Sequence, residues 1–398
     1  MDRRRVLVSG GGIAGLTLGN LLKQTGWEPL VVERDTALSA KGYMMDFFGA
    51  GWDVAARMGL VDALRAIRYP IDALEFVDAT GRVRISVPTD RIRRALDDKY
   101  VYLTRSDLVR ILYDQARQSS VEVRFGATID ALEDRGSDVR VTFADGSHDT
   151  FALIFGADGI HSRVRQLVFG TESRFAHFLG YYVAAFSLAD HGYMIGRSMK
   201  VYEEPDRIMS VYPLDDGLLV ATYIFRHPDA GTIRSDKFSL VKREYSGAGW
   251  IAERVLCDHP SCEPIYFDST TQIVMPTWHT GRIALVGDAC GCLTLAAGQG
   301  ANMAMAGAYI LANELEQQAD NHGAAFAAYE GFMKPHVTKR QRDAAVISRL
   351  FVPTQRSRPA LRRAVTRLML SRVVVRYALR YFGSQSFLVG RRAGGNLE

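Results

Sequence analysis

Thirty residues near the start of the chain, Arg5 to Arg34, leave few choices of fold: RVLVSGGGIAGLTLGNLLKQTGWEPLVVER. Arg5–Ser9 is an apolar, β-branched run of strand length. Gly10, Gly12 and Gly15 follow in G-x-G-x-x-G spacing, and Ile13 to Lys23 carries helical periodicity until Gly26 ends it. Pro29–Val32 reads as a second buried strand that stops on an acid, Glu33. Each part has a physical task. Gly10 permits the tight turn out of the strand, Gly12 lets a pyrophosphate approach the backbone, and Gly15 lets the helix pack against the sheet. Ile13 and Ala14 open that helix, whose N-terminus offers free N–H groups and partial positive charge to phosphates. Glu33 can accept hydrogen bonds from an adenosine ribose. A lone glycine motif is weak, but strand, glycines, helix, strand and terminal acid in one unit mark a dinucleotide site.

The chain is long enough for two or three domains, and its 47% apolar and 23% charged composition is that of an ordinary globular protein. The net charge of +5 is unevenly spread: from Pro353 onward there are ten arginines and one acid, Glu398. No nucleic-acid-binding motif accompanies that basic tail. The tail can cover the back of the nucleotide domain, lie on an acidic membrane surface or meet a partner. Four cysteines in 398 residues do not make a disulfide framework, and a reducing cytoplasm fits them. The basic start MDRRRVLV resembles the head of a signal peptide, but its apolar continuation is punctuated by glycine. Leu368–Phe382, the nearest approach to a membrane-spanning run, contains Arg372, Arg376 and Arg380.

Further along, Gly51–Met58 and Val61–Ile67 have helical patterns, and Ile71–Val77 with Val83–Val87 reads as a hairpin around Ala79–Gly81. Arg105–Gln118 is an amphipathic helix with Leu108, Ile111 and Leu112 inward. Short strands follow to Leu153. From about Phe175 the texture becomes aromatic and strand-like: Tyr181–Leu188, Met199–Tyr202, Ile208–Pro213 and Leu218–Phe225 predict an open sheet inserted into the nucleotide fold. Ala301–Glu316 and Ala324–Ile347 are long helices, and the tail from Pro359 reads as shorter ones. The expected architecture is α/β: a Rossmann-like nucleotide-binding domain in three parts (1–72, 103–173 and 278–345). A mixed β-sheet substrate domain (73–102 and 174–277) is inserted, and an Arg-rich helical extension (346–398) follows.

Two more strand ends carry motifs. Asp158-Gly159 lies in Gly156–Arg165, where an apolar strand turns into a helix opening Ser162-x-x-Arg165. Gly287-Asp288 ends another buried strand and is followed by Gly298-Gln299-Gly300-Ala301-Asn302 at a helix start. An acid at a strand end can fix a sugar-like hydroxyl, and a glycine-rich helix start can face an anion.

These three motifs, in this order and spacing, resemble the class A flavoprotein monooxygenases of the p-hydroxybenzoate-hydroxylase-like fold, which include compact tetracycline-inactivating members. The resemblance covers about Arg5 to Arg342. It implies FAD as cofactor, NAD(P)H as co-substrate, and O2 with a small molecule as the other reactants. In the family, reduced flavin adds O2 as a C4a-hydroperoxide whose distal oxygen passes to an electron-rich carbon. The resemblance assigns Gly10, Gly12, Gly15 and Glu33 to the ADP half, with Arg34 near the adenosine. It assigns Arg105 to FAD, Asp158 to both FAD and NAD(P)H, and Asp288 to the ribityl chain. Gly298, Gly300, Ala301 and Asn302 fall beside the isoalloxazine. Asp46, in GYMMDFF, falls where the family's loop passes the ring, as a polar contact to ring or substrate or as a solvent-facing acid.

One loop departs from the family pattern. Gly291 stands where His is usual, and Cys292 and Leu295 where prolines are usual, which predicts a less rigid loop beside the flavin. Tyr212, Pro213, Tyr223, Phe225 and Leu295 are the expected substrate walls. For Tyr223 and Phe225 a plain core role is the competing reading. Apolar and aromatic walls without an arginine pair favour a bulky, mostly neutral aromatic or polyketide-like substrate. An FAD-dependent reductase on the same fold, or a non-catalytic flavin protein, are the alternatives. Cys257, His259 and Cys262, with His279 beyond, do not have the spacing of a zinc site. Cys290-x-Cys292 lacks the context of a redox dithiol, and His161-Ser162 lacks that of a hydrolase. No metal is expected.

Overall fold

The computed structural model describes residues 5–38, 44–193, 195–214, 217–228, 236–259, 265–294, 298–318, 321–353 and 386–388. Leu295, Cys262 and nearly all of the basic tail lie outside them. Among the described residues no helix is long and apolar enough to cross a membrane.

The first sheet has six strands, in the order His279–Thr280, Ile283–Leu285, Leu153–Gly156, Arg5–Ser9, Glu28–Glu33 and Glu122–Phe125. All neighbours are parallel except the His279–Thr280 edge. A parallel sheet needs both faces covered, and the apolar runs supply that: Val6, Leu7, Val8, Ile154 and Phe155 are fully buried. Each such side chain contributes about 2 kcal/mol of burial. Helix Ile13–Gln24 packs on this sheet, and Gly300–Gln317 packs on that helix.

The register has a direct consequence for the site. Ser9 pairs with Gly156 and Val32, and Gly156 pairs with Leu285. The strands are parallel, so their carboxyl ends share one edge. The glycine turn, the Asp158 turn, the Asp288 turn and Glu33 are therefore brought to one edge of one sheet, where open α/β sheets bind ligands.

The second large sheet has seven strands: Tyr266–Ile273, Ala176–Ala189, Leu218–Arg226, Arg207–Pro213, Ser198–Glu204, Ala73–Val77 and Val83–Pro88. Ala73–Val77 and Val83–Pro88 form the expected hairpin, which joins the sheet by parallel pairing with Ser198–Glu204. One face is covered by the helices Lys237–Glu244 and Ala252–Asp258. The other looks toward the first domain.

Between the two units stands a short antiparallel ladder, Met44–Phe48 with Tyr100–Thr104. Its residues alternate cleanly. Phe47, Val101 and Leu103 face the nucleotide-domain core, and Met44, Tyr100 and Tyr102 face the seven-stranded sheet. Tyr100–Thr104 thus pairs with a partition strand rather than with the substrate sheet. The helix Thr89–Ala95 was not anticipated, because TDRIRRA is mostly charged and Ile92 is its lone large apolar residue.

Candidate active site

The glycine turn is shaped as its spacing predicts. Gly10 has φ +114°, and a Cβ there would lie 2.4 Å from the Ala157 carbonyl oxygen, at the root of the Asp158 turn. A Cβ on Gly15 would lie 1.9 Å from the Gly10 oxygen. The helix Ile13–Gln24 starts on Gly12 without a side-chain cap, which leaves its N-terminal N–H groups for a ligand. Ile13 and Ala14 are buried beneath this turn. Glu33 closes one side: its carboxylate accepts hydrogen bonds from the Gly11 N–H at 2.8 Å and the Asp35 N–H at 3.0 Å. Arg34 stays at the surface, 3.9 Å from Asp35.

Arg105 enters from the helix Arg105–Gln118, whose cap Thr104 accepts from the Asp107 N–H. Its Nη2 lies 3.7 Å from where a Gly12 Cβ would sit. The same guanidinium acts electrostatically on Asp288. Asp288 is solvent-accessible, yet protein crowds closely around its carboxylate. That crowding pushes its carboxyl above the ordinary range, with Arg105 and a hydrogen bond from Cys292 opposing. Asp158 is pushed up by burial and held by the Ser162 hydroxyl and the Val164 N–H at 3.0 Å. Gly287 (φ +67°) allows the Asp288 turn to meet the first helix, since a Cβ there would lie 2.8 Å from that of Ala14. Open space faces Gly159, Gly298 and Gly300. That room, with the uncapped helix end at Gly12 and the Arg105 guanidinium beside it, fits the residues to an extended dinucleotide. Asn302 ties the start of Gly300–Gln317 to the partition: its Oδ1 accepts from the Phe48 N–H at 3.2 Å, and its Nδ2 donates to the Asp46 carbonyl. Ala301 packs between this helix start and the nucleotide-domain core.

The loop that departs from the family pattern has its own supports. A Cβ on Gly291 would lie 2.8 Å from Val337 of the helix His322–Phe351, so that helix occupies the room a histidine would need. Two buried amides bond the loop's backbone. Gln341 donates to the carbonyls of Ile273 and Cys292 at 2.8 and 2.9 Å, and Gln272 donates to those of Leu293 and Gln341. Arg165, with no exposed surface, donates to the Ala289 carbonyl at 3.0 Å and to Glu172, joining the Asp158 and Asp288 turns. These bonds hold the described part of the loop, Asp288 to Thr294, and the remainder at Leu295 lies outside the described residues. Gln272 and Gln341 gave no local signal, because their partners are backbone carbonyls far away in sequence, whereas Arg165 stood in the Ser162-x-x-Arg165 motif without its link to Ala289 being legible.

The expected substrate walls need a larger correction. Tyr223 and Phe225 are fully buried on the helix-covered face of the seven-stranded sheet, where the Tyr223 hydroxyl donates to the Ala252 carbonyl at 3.0 Å. Pro213 pairs with Leu219, on the same outer parity. Tyr212 is on the inner face, but it is buried and its hydroxyl accepts from the Met44 N–H at 2.7 Å, anchoring the partition. The inner face is covered at one end by Met44, Tyr100 and Tyr102 and at the other by Val352. Between them Met199, Ser210 and Thr222 remain partly accessible in mid-sheet. Asp268 and Tyr266, on the edge strand, share this face through the Val183 and Ala185 register, and Asp268 acts electrostatically on both Asp288 and His161. Among the described residues no His, Cys, Asp and Glu cluster could hold a metal ion.

A family model described as an FAD binding domain matches residues 3–325. An uncharacterised protein of Mycobacterium tuberculosis is 35% identical over 347 residues, covering 85% of this chain and 92% of that one. A flavin-dependent monooxygenase of Legionella longbeachae is 30% identical over 352 residues, covering 87% of this chain and 90% of that one. The crystal structure of tetracycline destructase Tet(55) is similar with a TM-score of 0.81 at 29% identity, covering 94% of this chain and 98% of that one.

Proposed function

The chain belongs to the class A FAD-dependent monooxygenases, and from that premise we propose that it uses NAD(P)H and O2 to insert one oxygen atom into a bulky, mostly neutral aromatic or polyketide-like molecule. The observation that carries the reading is the meeting of the glycine turn, Glu33, Asp158 and Asp288 at one sheet edge, with the Arg105 guanidinium beside Gly12 and acting on Asp288. FAD, the cofactor, supplies the electron transfer and oxygen activation when bound.

This chain's residues do the rest. Gly10, Gly12, Gly15 and Glu33 would hold the ADP half, with the uncapped helix end facing the pyrophosphate. Arg105 would balance the phosphates, Asp288 would take a ribityl hydroxyl, and Gly298 to Asn302 would lie along the ring. Asp158 would serve FAD and the incoming NAD(P)H. The partition and the inner sheet face would exclude water from the reacting edge, with Met199, Ser210 and Thr222 touching substrate. The free Cys257, exposed, fits a cytoplasmic setting.

The test uses the purified yellow protein with NADPH or NADH, labelled O2 and a panel of polycyclic phenols against small hydroxybenzoates. Label in the product and faster turnover of the polycyclic set are expected. Reduced product without label would support a reductase instead, and faster turnover of a small hydroxybenzoate would overturn the substrate class.

A further inference from the structure

Two buried cysteines flank the Asp288 turn, and they differ in what they touch. Cys290 turns away from the acid: its thiol donates to the Gly287 carbonyl at 3.4 Å and lies 3.8 Å from the Tyr329 hydroxyl. Cys292 ends the single helical turn Asp288–Gly291, four residues after the acid that opens it. That spacing puts two side chains on one face of a helix. The Cys292 thiol donates to the Asp288 carboxylate, and its sulfur accepts from the Thr294 N–H. Its carbonyl is fastened from two sides, by the Ile273 N–H at 3.3 Å and the Gln341 amide at 2.9 Å. Thr294 has φ +96°, a strained conformation for a β-branched residue, and this bend accompanies the contact between its N–H and the sulfur. Cys292 is buried while Asp288 is open to a ligand. The thiol therefore reaches the acid from the protein side and leaves the solvent side free.

We propose that Cys292 is a positioning residue for the cofactor: its thiol, held between the Thr294 N–H and the Asp288 carboxylate, keeps Asp288 ionised and oriented to accept from a ribityl hydroxyl. The proposal rests on the FAD reading of the Asp288 turn and adds to it a donor that the family pattern does not supply, since a proline at this position has no proton to give. The proton stays on sulfur throughout, so the thiol acts as a donor and not as a redox group. Burial, joined by the Asp288 charge, holds the Cys292 thiol well above the ordinary range, so it keeps the proton it donates. Burial also pushes the Asp288 carboxyl upward, and only Arg105 and Cys292 oppose it. Ionisation of Asp288 therefore depends on these two partners. The other charged and titratable groups around the turn come from four elements. Arg105 faces Asp288 from the helix Arg105–Gln118, and Asp268 faces it from the edge strand. Arg165 faces both cysteines from the helix Arg163–Val168, and Glu330 faces Cys290 from the helix His322–Phe351.

The test uses the full-length FAD-loaded protein. Release of FAD on dilution is followed by the recovery of free-FAD fluorescence, across about pH 5 to 9. Cys292→Ala should weaken FAD binding about tenfold near about pH 7. Without the thiol, Asp288 takes up a proton at higher pH, so on acidification FAD affinity should begin to fall about one pH unit earlier than in the wild type. Cys292→Val, which fills the same space without a donor, should behave as Cys292→Ala does. Cys292→Ser keeps a donor and should stay within about threefold of the wild type at every pH. Cys290→Ala should leave the acid limb in place. Urea midpoints on the same samples identify the folded variants. An acid limb that does not move in either donor-free variant, or a loss in Cys292→Ser as large as theirs, would overturn the proposal, because packing alone would then account for the cysteine. An equal shift of the limb in Cys290→Ala would overturn it as well. Intact FAD binding with no shift of the limb refutes only the role of the thiol, whereas a wild type that binds no FAD refutes the FAD reading itself.

Discussion

Along Leu218–Arg226, Leu219, Ala221, Tyr223 and Phe225 point to one side of the sheet, and Val220, Thr222 and Ile224 to the other. The first set is sealed under two helices, with Tyr223 packed against Phe186 and Tyr245. The second set is covered only at its ends, and its middle holds Thr222 beside Ser210, both partly accessible. The bulky aromatics that look most like a ligand pocket in sequence therefore serve stability, and the small polar residues Ser210 and Thr222 stay partly accessible on the other face, which is the one proposed to meet substrate. A pocket needs room, and a face filled with tyrosine and phenylalanine has none left.

The largest effect that would break this comparison is on the outer face. Phe225→Ala should cost about 3–5 kcal/mol of folding stability, as expected for an aromatic removed from a closed core. The folded fraction should keep its FAD and its substrate KM. Urea denaturation and flavin absorbance on the same samples check both. A variant that unfolds as the wild type does, but with a raised KM, would put Phe225 back in the substrate wall.

Thr222→Phe probes the opposite face. If the side chain grows into the proposed chamber, stability should change by less than about 1 kcal/mol. The added ring should exclude the largest substrates and raise KM for polycyclic phenols by about tenfold, the scale of one misplaced apolar group in a pocket. Urea midpoints and KM across substrates of graded size give the answer. A large loss of stability with unchanged KM would mean that this face is closed.

The same comparison explains what could be read before the structure was known. The nucleotide edge was legible because its signals are local: Gly10, Asp158 and Asp288 each follow an apolar run directly, and parallel pairing then brings the three ends together. The parity of Leu218–Arg226 was legible too. Which parity would be covered was not, because that depends on Lys237–Glu244 and Ala252–Asp258 folding back over one side. Asp46 could be placed near the ring by resemblance, but its tyrosine partners lie 54 and 56 residues away and meet it only through the ladder. Gln341 was invisible for the same reason. Its amide bonds the Cys292 carbonyl in that loop, and it arrives from a different helix.

The smallest expected effect lies at the rim, where the Asp158 turn meets solvent. His161 Nδ1 is 3.0 and 3.1 Å from the two Glu172 oxygens, and Glu172 also accepts from the buried Arg165 at 2.9 Å. The hydrogen bond to Glu172 raises the His161 pKa, with burial opposing, and Glu172 is held below the ordinary range, where burial, its largest influence, opposes the His161 and Arg165 contacts that lower it. A histidine whose folded pKa is raised stabilises the fold fully below its unfolded pKa, and that contribution is lost as pH rises through the folded value. The imidazole is 60% exposed and its partner 39%, so solvent screens the pair and it is worth at most about 1 kcal/mol. His161→Gln should therefore lower the urea midpoint slightly near about pH 6, and the deficit should vanish by about pH 9 and shrink in roughly 1 M salt. KM should not move, because the ring is tied back to Glu172. A deficit that persists unchanged at high pH would mean that packing rather than charge holds the imidazole there. A KM that rises with His161→Gln would extend the chamber's inner wall past the sheet to the Asp158 turn.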